Sequence, residues 1–171
     1  MSVKGGESVI SFGTDEIRQI VTQYGTTLYR VAFAALRSSA DAEDVVQEVF
    51  LRLLESRPRW ETPEQQKAWL IRVTINLSHD LLRRASRKDL PLEQCPELPQ
   101  EDSGEADGEL LPAVLALPEK YRTVIHLYYY EDYTIREIAR ILSLPAATVG
   151  TRLARARAIL RKKLEGGFFD D

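Results

Sequence analysis

One acidic stretch interrupts an otherwise helical sequence and so decides how this chain can fold. Residues 89–110 read DLPLEQCPELPQEDSGEADGEL, with three prolines, two glycines and no lysine or arginine. Such a composition buries too little apolar surface to offset the entropy lost on ordering. We therefore expect a flexible acidic linker between two domains. The expected division is a first domain over residues 1–88, the linker over 89–108, a second domain over 109–165 and a tail over 166–171.

Hydrophobic residues before the linker recur every three or four positions, which predicts three amphipathic helices. Thr14 is a suitable N-cap for the first helix, and Asp41 for the second. The third helix has a stronger start signal, because Thr62 can act as N-cap with Pro63 at the first helical position and Gln65 in the capping-box place. This helix is expected to end where the linker begins.

The sequence after the linker is also helical and contains a helix-turn-helix pattern. A helix is expected from Pro118 onward, and Thr134 to Glu137 form a complete capping box for the next one. Ser143-Leu144-Pro145 then interrupts the pattern, and a last helix is expected from about Ala146 to Leu164, ending at Gly166-Gly167. Because no segment alternates with period two, we predict an all-α fold of two small helical domains joined by the linker.

Composition excludes several classes of protein. A chain of 171 residues with 44% hydrophobic side chains can bury a core, and its one cysteine, Cys95, rules out an internal disulfide framework. No apolar run approaches the roughly 20 residues that cross a bilayer, and the N-terminus has no signal-peptide pattern. We expect a cytoplasmic protein without membrane insertion. Its two histidines form no metal-ligand motif, and no cofactor is expected.

The last predicted helix concentrates positive charge in a chain whose net charge is −3. Inward-facing positions fall to Val149, Leu153, Ala156 and Leu160, and outward-facing positions to Arg152, Arg155 and Arg161 to Lys163. Cations on one face of a helix that follows such a turn can neutralise successive DNA phosphates. Hydroxyls at Thr148 and Thr151 can bond phosphates or base edges. The alternative is an ordinary solvated basic face.

The second predicted helix, DAEDVVQEVFLRLLES, carries carboxylates opposite its apolar stripe. The stripe is expected to comprise Val45, Val46, Val49, Phe50, Leu53 and Leu54. The opposite face comprises Asp44, Gln47, Glu48, Leu51 and Glu55. A leucine among carboxylates suggests a basic, partly apolar partner, although a solvated helix with one exposed leucine explains the pattern as well. Asp44 and Glu48, one turn apart, are a weak candidate for metal ligands.

The third predicted helix carries a polar strip of Arg72, Asn76, Asp80, Arg83 and Arg87. Trp69 lies beside this strip, and Trp60 precedes the helix. Aromatic rings beside a cationic groove are the components of single-strand nucleic-acid recognition, in which unpaired bases stack on the rings. Most tryptophans belong to a core, and for Trp69 that interpretation is favoured.

Three segments, taken in order, resemble the small sigma factors of bacterial RNA polymerase, the extracytoplasmic-function group of the sigma-70 family. They are DAEDVVQEVFLRLL, AWLIRVTINLSHDLLRR and LPEKYRTVIHLYYYEDYTIREIARILSLPAATVGTRLARARAILRKKL. The resemblance covers the chain except its first dozen residues, the linker and the tail. It implies a promoter-specificity subunit without a catalytic centre, which joins core polymerase and reads the −10 element as single strand and the −35 element as duplex. It also implies an anti-sigma factor as a partner.

The resemblance assigns roles to matching positions. Docking on the clamp helices of the polymerase β′ subunit is expected of Asp41, Asp44, Gln47, Glu48 and Leu51. Contact with the −10 element is expected of Trp60, Trp69, Arg72, Asn76, Asp80, Arg83 and Arg84, with Asn76 at the pocket for a flipped base and the loop from Arg57 to Lys67 completing that pocket. Contact with the −35 element is expected of Thr134, Thr148, Gly150, Thr151, Arg152, Ala154 and Arg155. The second domain is also expected to meet the polymerase β flap, and the linker to point toward the RNA-exit path.

Gly150 and Ala154 depart from the family pattern, in which a cation and an aromatic or polar side chain are usual. Glycine inside a helix costs about 1 kcal/mol relative to alanine, so Gly150 weakens the helix expected to read the −35 element.

The alternative function is an independent helix-turn-helix regulator that binds duplex DNA as a dimer. That alternative leaves the acidic face and Asn76 without a role. A third, an enzyme acting on nucleic acid, finds no convincing catalytic cluster in the sequence.

Overall fold

The computed structural model describes residues 14–87 and 110–169, and every regular element within these ranges is helical. The helices are α1 (Thr14–Leu36), α2 (Ser39–Ser56), α3 (Pro63–Arg87), α4 (Leu110–Leu115), α5 (Glu119–Ile125), α6 (Ile135–Leu142) and α7 (Ala146–Phe169), and a π-helical turn, His126–Tyr130, continues α5. The all-α prediction is confirmed. The predicted linker lies outside the described residues.

Helices α1, α2 and α3 pack around one shared core. Its most enclosed side chains, each at most 1% exposed, include Leu28, Val49, Leu53, Leu70 and Ile75. The predicted stripe of α2 is buried at Val45, Val49 and Leu53, but Leu54 is 44% exposed, so its assignment to the core was wrong. Each residue turns the helix by about 100°, and Leu54 has therefore rotated out of the face that Leu53 buries.

Helix starts follow cap chemistry, with one correction. Asp41 is not the N-cap of α2, because the helix begins after Ser38, whose Oγ accepts a hydrogen bond from the backbone N–H of Asp41 at 3.2 Å. Thr62 caps α3 as predicted, since its Oγ1 accepts from the N–H of Gln65 at 3.2 Å. The Gln65 side chain reaches back one residue further than a capping box requires, to the N–H of Glu61 at 2.9 Å.

Two predicted helix limits are shifted. Thr14 is the first residue of α1 rather than the residue before it, and α7 runs through Gly166-Gly167 to Phe169. Glycine lowers helix propensity by about 1 kcal/mol, but its backbone reaches helical dihedral angles freely. Two glycines at the end of a long helix therefore do not force it to stop.

The second domain is built on the predicted helix-turn-helix. The capping box of α6 is complete, because Thr134 Oγ1 accepts from the N–H of Glu137 at 3.2 Å and Glu137 Oε2 accepts from the N–H of Thr134 at 2.8 Å. Ser143 follows α6 with a φ of 54°, a left-handed cap that redirects the chain toward α7. The predicted inward face of α7 is confirmed by the burial of Val149, Leu153, Ala156 and Leu160.

The two domains pack against each other, with α1 against α5 and α3 against α6. Six consecutive residues at the end of α1, Val31–Leu36, are buried, so every face of that turn is covered. Burial is equally continuous in the second domain from Tyr121 to Leu127. No sequence pattern had predicted this contact between the domains.

Candidate nucleic-acid interface and docking surfaces

Helix α7 presents most of its predicted DNA-facing residues near its start. Thr151, Ala154 and Arg155 are exposed, and Thr148, Gly150 and Arg152 are half-buried. The Thr151 hydroxyl donates to the carbonyl of Ala147 at 2.9 Å, which leaves its oxygen available as an acceptor. Thr134 at the start of α6 is exposed as well, but its hydroxyl is already engaged in the capping box.

Gly150 is not required by the packing of α7. A Cβ placed there would have no neighbouring atom within 4 Å. No glycine in the described ranges has a positive φ, so the backbone conformation does not require glycine either. The position therefore has room for a side chain, including the cation that the family pattern would supply.

One arginine of the basic helix is held by aromatic side chains. Arg157 Nε donates to the hydroxyl of Tyr129 at 2.7 Å, and its guanidinium lies 5.4 Å from the ring centroid of Tyr128 and 5.6 Å from that of Tyr129. The hydrogen bond to Tyr129 raises the pKa of Arg157 further above its usual value. This arginine is consequently less available to DNA than Arg152 or Arg155.

An apolar groove of about 820 Å³ lies between α4, the π-helical turn and α7. Its lining includes Leu110, Val114, Ile125, Leu160 and Leu164, with Tyr129, Tyr130, Arg157, Arg161 and Glu165 completing it. Sequence reasoning missed this groove. The run of three tyrosines that begins at Tyr128 was a signal in the sequence for an apolar surface. In the structure Tyr129 and Tyr130 are 51% and 43% exposed.

The acidic face of α2 is exposed as the helical spacing predicted. Asp41, Asp44, Gln47 and Glu48 are all exposed, and Leu51 is 52% exposed. Leu54, which had been assigned to the core, adds a second exposed leucine one turn further along. Glu48 forms an exposed i,i+4 pair with Arg52, at 3.5 Å between Oε1 and Nε, and such pairs hold a carboxylate weakly. The face thus combines accessible carboxylates with two leucines.

Some side chains of the polar strip of α3 already bind other groups of the protein. Asn76 and Arg84 are exposed. Asp80 and Arg83 form an ion pair one turn apart, so the charge of Arg83 is partly neutralised within the strip. Arg72 Nη2 donates to the carbonyl of Arg140 on α6 at 3.4 Å. One predicted −10 contact therefore also touches the second domain.

Trp60 and Trp69 form one aromatic cluster. Their ring centroids are 5.7 Å apart and their planes meet at 64°, an edge-to-face arrangement. Both side chains are half-buried and pack against the core. The favoured interpretation of Trp69 as a core residue is therefore correct in part, since the ring packs inward without being fully enclosed.

Charged side chains join the first domain to the second. His79 Nε2 lies 2.7 Å from Glu119 Oε1, and Lys67 Nζ lies 3.3 Å from Glu131 Oε2. Burial raises the pKa of each carboxyl, but the hydrogen bond and charge of His79 lower that of Glu119, and the neighbouring His126 and Lys67 lower that of Glu131, so both pKa values lie below the usual one. Both carboxylates are therefore ionised at neutral pH.

Among residues 14–87 and 110–169, no group of three or more His, Cys, Asp or Glu side chains is arranged to hold a metal ion. Asp44 and Glu48 thus have no third ligand of these types within that part of the chain. No helix in the same ranges is long and apolar enough to cross a membrane.

Comparison with protein families matches both halves of the chain. The family model for Sigma-70 region 2 matches residues 20–88, and that for Sigma-70, region 4 matches residues 108–160. The ECF RNA polymerase sigma factor SigW of Bacillus subtilis (strain 168) is 32% identical over 168 residues, covering 88% of this chain and 89% of SigW. The RNA polymerase sigma-E factor of Streptomyces coelicolor is 36% identical over 155 residues, covering 87% of this chain and 86% of that protein.

Solved structures share the arrangement of helices. The sigma factor RpoE from Bartonella quintana, crystallised with the anti-sigma factor NepR, matches with a TM-score of 0.77 at 20% identity, over 92% of this chain and all of RpoE. CnrH, in complex with the cytosolic domain of CnrY, matches with a TM-score of 0.64 at 26% identity, over 91% of this chain and 92% of CnrH. The likeness to RpoE concerns the fold alone.

Proposed function

Because this chain belongs to the extracytoplasmic-function group of the sigma-70 family, we propose a division of the sigma-factor function between its two domains. As an RNA polymerase sigma factor it binds core polymerase and promoter DNA and directs transcription initiation. The first domain docks on the polymerase and reads the melted −10 element, and the second reads the −35 duplex. One observation carries this division: each domain exposes a charged surface of its own, acidic on α2 and basic on α7.

The docking surface on core polymerase is the exposed face of α2. Its carboxylates at Asp41, Asp44 and Glu48 suit a basic partner, and Leu51 and Leu54 add apolar area that becomes buried on contact. By the family pattern, that partner is the pair of clamp helices of the β′ subunit. The mixture of charge and leucine favours this docking role over a merely solvated helix.

The −10 element is read by α3 and the loop before it. Asn76 offers both donors and acceptors at an exposed position, as recognition of a flipped base requires. The half-buried cluster of Trp60 and Trp69 supplies aromatic surface for stacking, and Arg84 supplies a cation for the backbone. Arg72 and Arg83 also contact the DNA after Arg72 releases the Arg140 carbonyl and Arg83 releases Asp80.

The −35 element is read by the start of α7. Arg152 and Arg155, one turn apart on the outer side of the helix, suit phosphate and guanine contacts, and Thr148 and Thr151 add hydroxyls near the helix N-terminus. Gly150 and Ala154 contribute shape rather than polar contacts. Specificity therefore rests on the two threonines and the two arginines.

Two further partners complete the proposal. The apolar groove between α4 and α7 is where the β flap meets the second domain, since a hydrophobic lining of about 820 Å³ suits an apolar segment. An anti-sigma factor is the second partner, as the family resemblance implies, and the fold of this chain is one that RpoE presents to the anti-sigma factor NepR. A protein with these partners acts in the cytoplasm, and it contributes binding to initiation while the polymerase contributes catalysis.

Promoter-directed transcription tests the proposal. Core RNA polymerase, with and without the protein, is given a duplex promoter and the same promoter with its −10 element already melted. We expect the protein to be required for initiation on the duplex and to confer less advantage on the melted template. Failure to bind core polymerase, together with tight dimeric binding to a palindromic duplex, would favour an independent regulator instead.

A further inference from the structure

Ser86 is an exposed serine in the last turn of α3. Arg83 and Arg84 stand three and two residues before it, and both are exposed. Among the serines and threonines of the chain, Ser86 is the one with arginine at both of these positions. Basophilic protein kinases bind arginines at these positions through carboxylates in their substrate groove, by charge-assisted hydrogen bonds. The sequence around Ser86 therefore has the charge pattern that such a kinase selects.

Other serines lack either the access or the charge pattern. Ser39 also has an arginine two residues before it, but Ser39 is half-buried, and its Oγ lies 2.8 Å from the hydroxyl oxygen of Tyr29. Ser143 is exposed and follows Arg140 by three residues, but the residue two before it is an isoleucine. Ser86 combines both arginines with an exposed position.

The end of a helix is also a favourable place for a kinase to act. A kinase binds its substrate in an extended conformation, so the residues around the serine must leave the helix. Ser86 is next to Arg87, the last residue of α3. The last turn of a helix has carbonyls without intrahelical partners, and helix ends open at a low free-energy cost. Ser86 can therefore reach a kinase while the core of the first domain stays folded.

A phosphate on Ser86 would act on the cations of the −10 strip. Ser86 and Arg83 are three residues apart, a spacing that makes side chains neighbours on a helix, and Asp80 already pairs with Arg83 from the preceding turn. Phosphoserine carries a charge of about −1.5 to −2 and three acceptor oxygens. It would compete with DNA for Arg83 and repel the DNA phosphates. It would also destabilise the last turn, because the helix dipole disfavours an anion there.

We propose that Ser86 is the phosphate acceptor of a basophilic serine/threonine kinase, and that its phosphorylation weakens binding to the −10 strand. In this reaction the Ser86 Oγ forms a bond to the γ-phosphorus of ATP as the bond from that phosphorus to the bridging oxygen breaks. The hydroxyl proton passes to the catalytic aspartate of the kinase, and ADP leaves. The effect on DNA rests on the proposed function, whereas the acceptor role of Ser86 does not.

Phosphorylation of the full chain tests the acceptor role. The protein is incubated with ATP and the catalytic subunit of cyclic-AMP-dependent protein kinase, a basophilic enzyme. We expect one phosphoryl group per chain, located at Ser86 by mass spectrometry of fragments, and none in Ser86→Ala, which keeps Ser143. Arg84→Ala should lower the rate of incorporation about tenfold or more, because the kinase loses a charge-assisted contact. Absence of phosphate at Ser86, or its transfer to another serine instead, would overturn the proposal.

Fluorescence anisotropy of a labelled −10 oligonucleotide, with the protein bound to core polymerase, tests the effect on DNA. We expect phosphorylated protein to bind about tenfold more weakly at low salt, with a slope of log affinity against log salt that is shallower by about 0.7 for each cation the phosphate occupies. Ser86→Asp should reproduce part of this loss, and Ser86→Ala should bind like the unmodified protein. Gln23→Glu, which also adds one negative charge at an exposed site on α1, is the control.

The two measurements fail in different ways. Equal binding of the −10 strand by phosphorylated and unmodified protein would refute the regulatory role of Ser86. Failure of the unmodified protein to bind the −10 strand, with Ser86 still phosphorylated, would instead refute the proposed function and leave the acceptor site intact.

Discussion

His79 on α3 and Glu119 on α5 meet across the boundary between the domains, with 2.7 Å between Nε2 and Oε1. The same Glu119 oxygen accepts a hydrogen bond from the Thr123 hydroxyl at 2.9 Å. Burial raises the pKa of Glu119, but the hydrogen bond and charge of His79, the Thr123 hydroxyl and the Arg122 charge together bring it below its ordinary value of 4.5. The ionised carboxylate therefore stabilises the folded, packed arrangement more than the protonated acid does.

This lowered pKa predicts a loss of stability in acid. A group whose pKa is lower in the folded state than in the unfolded state contributes stability that is complete above the unfolded pKa, here about 4.5, and that is lost as the pH falls through the folded pKa. We expect Glu119→Gln to reduce the dependence of the unfolding free energy on pH in this acidic range. Chemical denaturation at several pH values measures it, with the exposed Glu16→Gln as control. Identical acid profiles for Glu119→Gln and the wild-type protein would contradict the role of this pair.

Gly150 offers a prediction with an internal control. Gly150→Ala should stabilise the protein by about 1 kcal/mol, because alanine has the higher helix propensity and the added Cβ meets nothing within 4 Å. Gly25→Ala on α1 has the same open surroundings and should stabilise by a similar amount. Thermal unfolding measures both.

The two glycine positions should then differ in DNA binding. Gly150→Lys should strengthen binding to the −35 duplex and steepen its salt dependence, since one more cation reaches the phosphates, whereas Gly25→Lys should leave −35 binding unchanged. A weaker −35 complex for Gly150→Lys would show that the groove needs the space that glycine leaves.

Local features of this fold were readable from the sequence. The spacing of Val149, Leu153, Ala156 and Leu160 identified the inner face of α7, and Thr134 with Glu137 identified the start of α6, because both depend on residues within a few turns. The exposed acidic face of α2 followed from the same helical period. One error occurred where two local signals compete. Ser38 and Asp41 are both good N-caps, and the backbone selects Ser38.

Features that join distant segments were not readable from the sequence. The bonds from Arg122 to Ala34 and Ala35 connect positions that no periodicity relates, and arginine is ordinarily an exposed residue. A partial signal did exist, since Tyr121, Val124, Ile125 and Leu127 fall on several sides of α5 and its continuation, which indicates a helix covered on more than one face. Which helix covers it depends on tertiary packing alone.

The acidic face of α2 predicts a charge-reversal effect. Glu48→Arg should weaken binding to core polymerase at least tenfold, the effect of losing a contact worth about 1.4 kcal/mol, while changing the unfolding free energy by no more than about 0.5 kcal/mol because the residue is exposed. Leu51→Ala should also weaken binding. Glu16→Arg, an equal charge change at an exposed site on α1, is the control. Unchanged core affinity for both Glu48→Arg and Leu51→Ala would reject this docking face.

Variants of the α6 capping box distinguish the contribution of Thr134 to stability from a contribution to DNA binding. Thr134→Ala should cost about 1 kcal/mol of unfolding free energy, and Thr134→Ser should cost less because it keeps the hydroxyl that accepts from Glu137. Glu137→Ala removes the reciprocal bond without altering the hydroxyl. If Thr134 also touches the −35 backbone, Thr134→Ala weakens duplex binding more than Glu137→Ala does. Equal binding by the two variants would limit Thr134 to its structural role.

The ion pair between Asp80 and Arg83 predicts a gain of function on single-stranded DNA. Asp80→Asn removes a carboxylate from the −10 strip and frees Arg83 to meet a phosphate. One additional phosphate contact should steepen the slope of log affinity against log salt by about 0.7 for a single strand and raise affinity at low salt. Fluorescence anisotropy of a labelled −10 oligonucleotide, with the protein bound to core polymerase, measures this, and Asp132→Asn at an exposed site of the second domain is the control. A lower affinity with an unchanged slope would mean that Asp80 itself accepts a hydrogen bond from a base, and that the pair serves to orient this carboxylate.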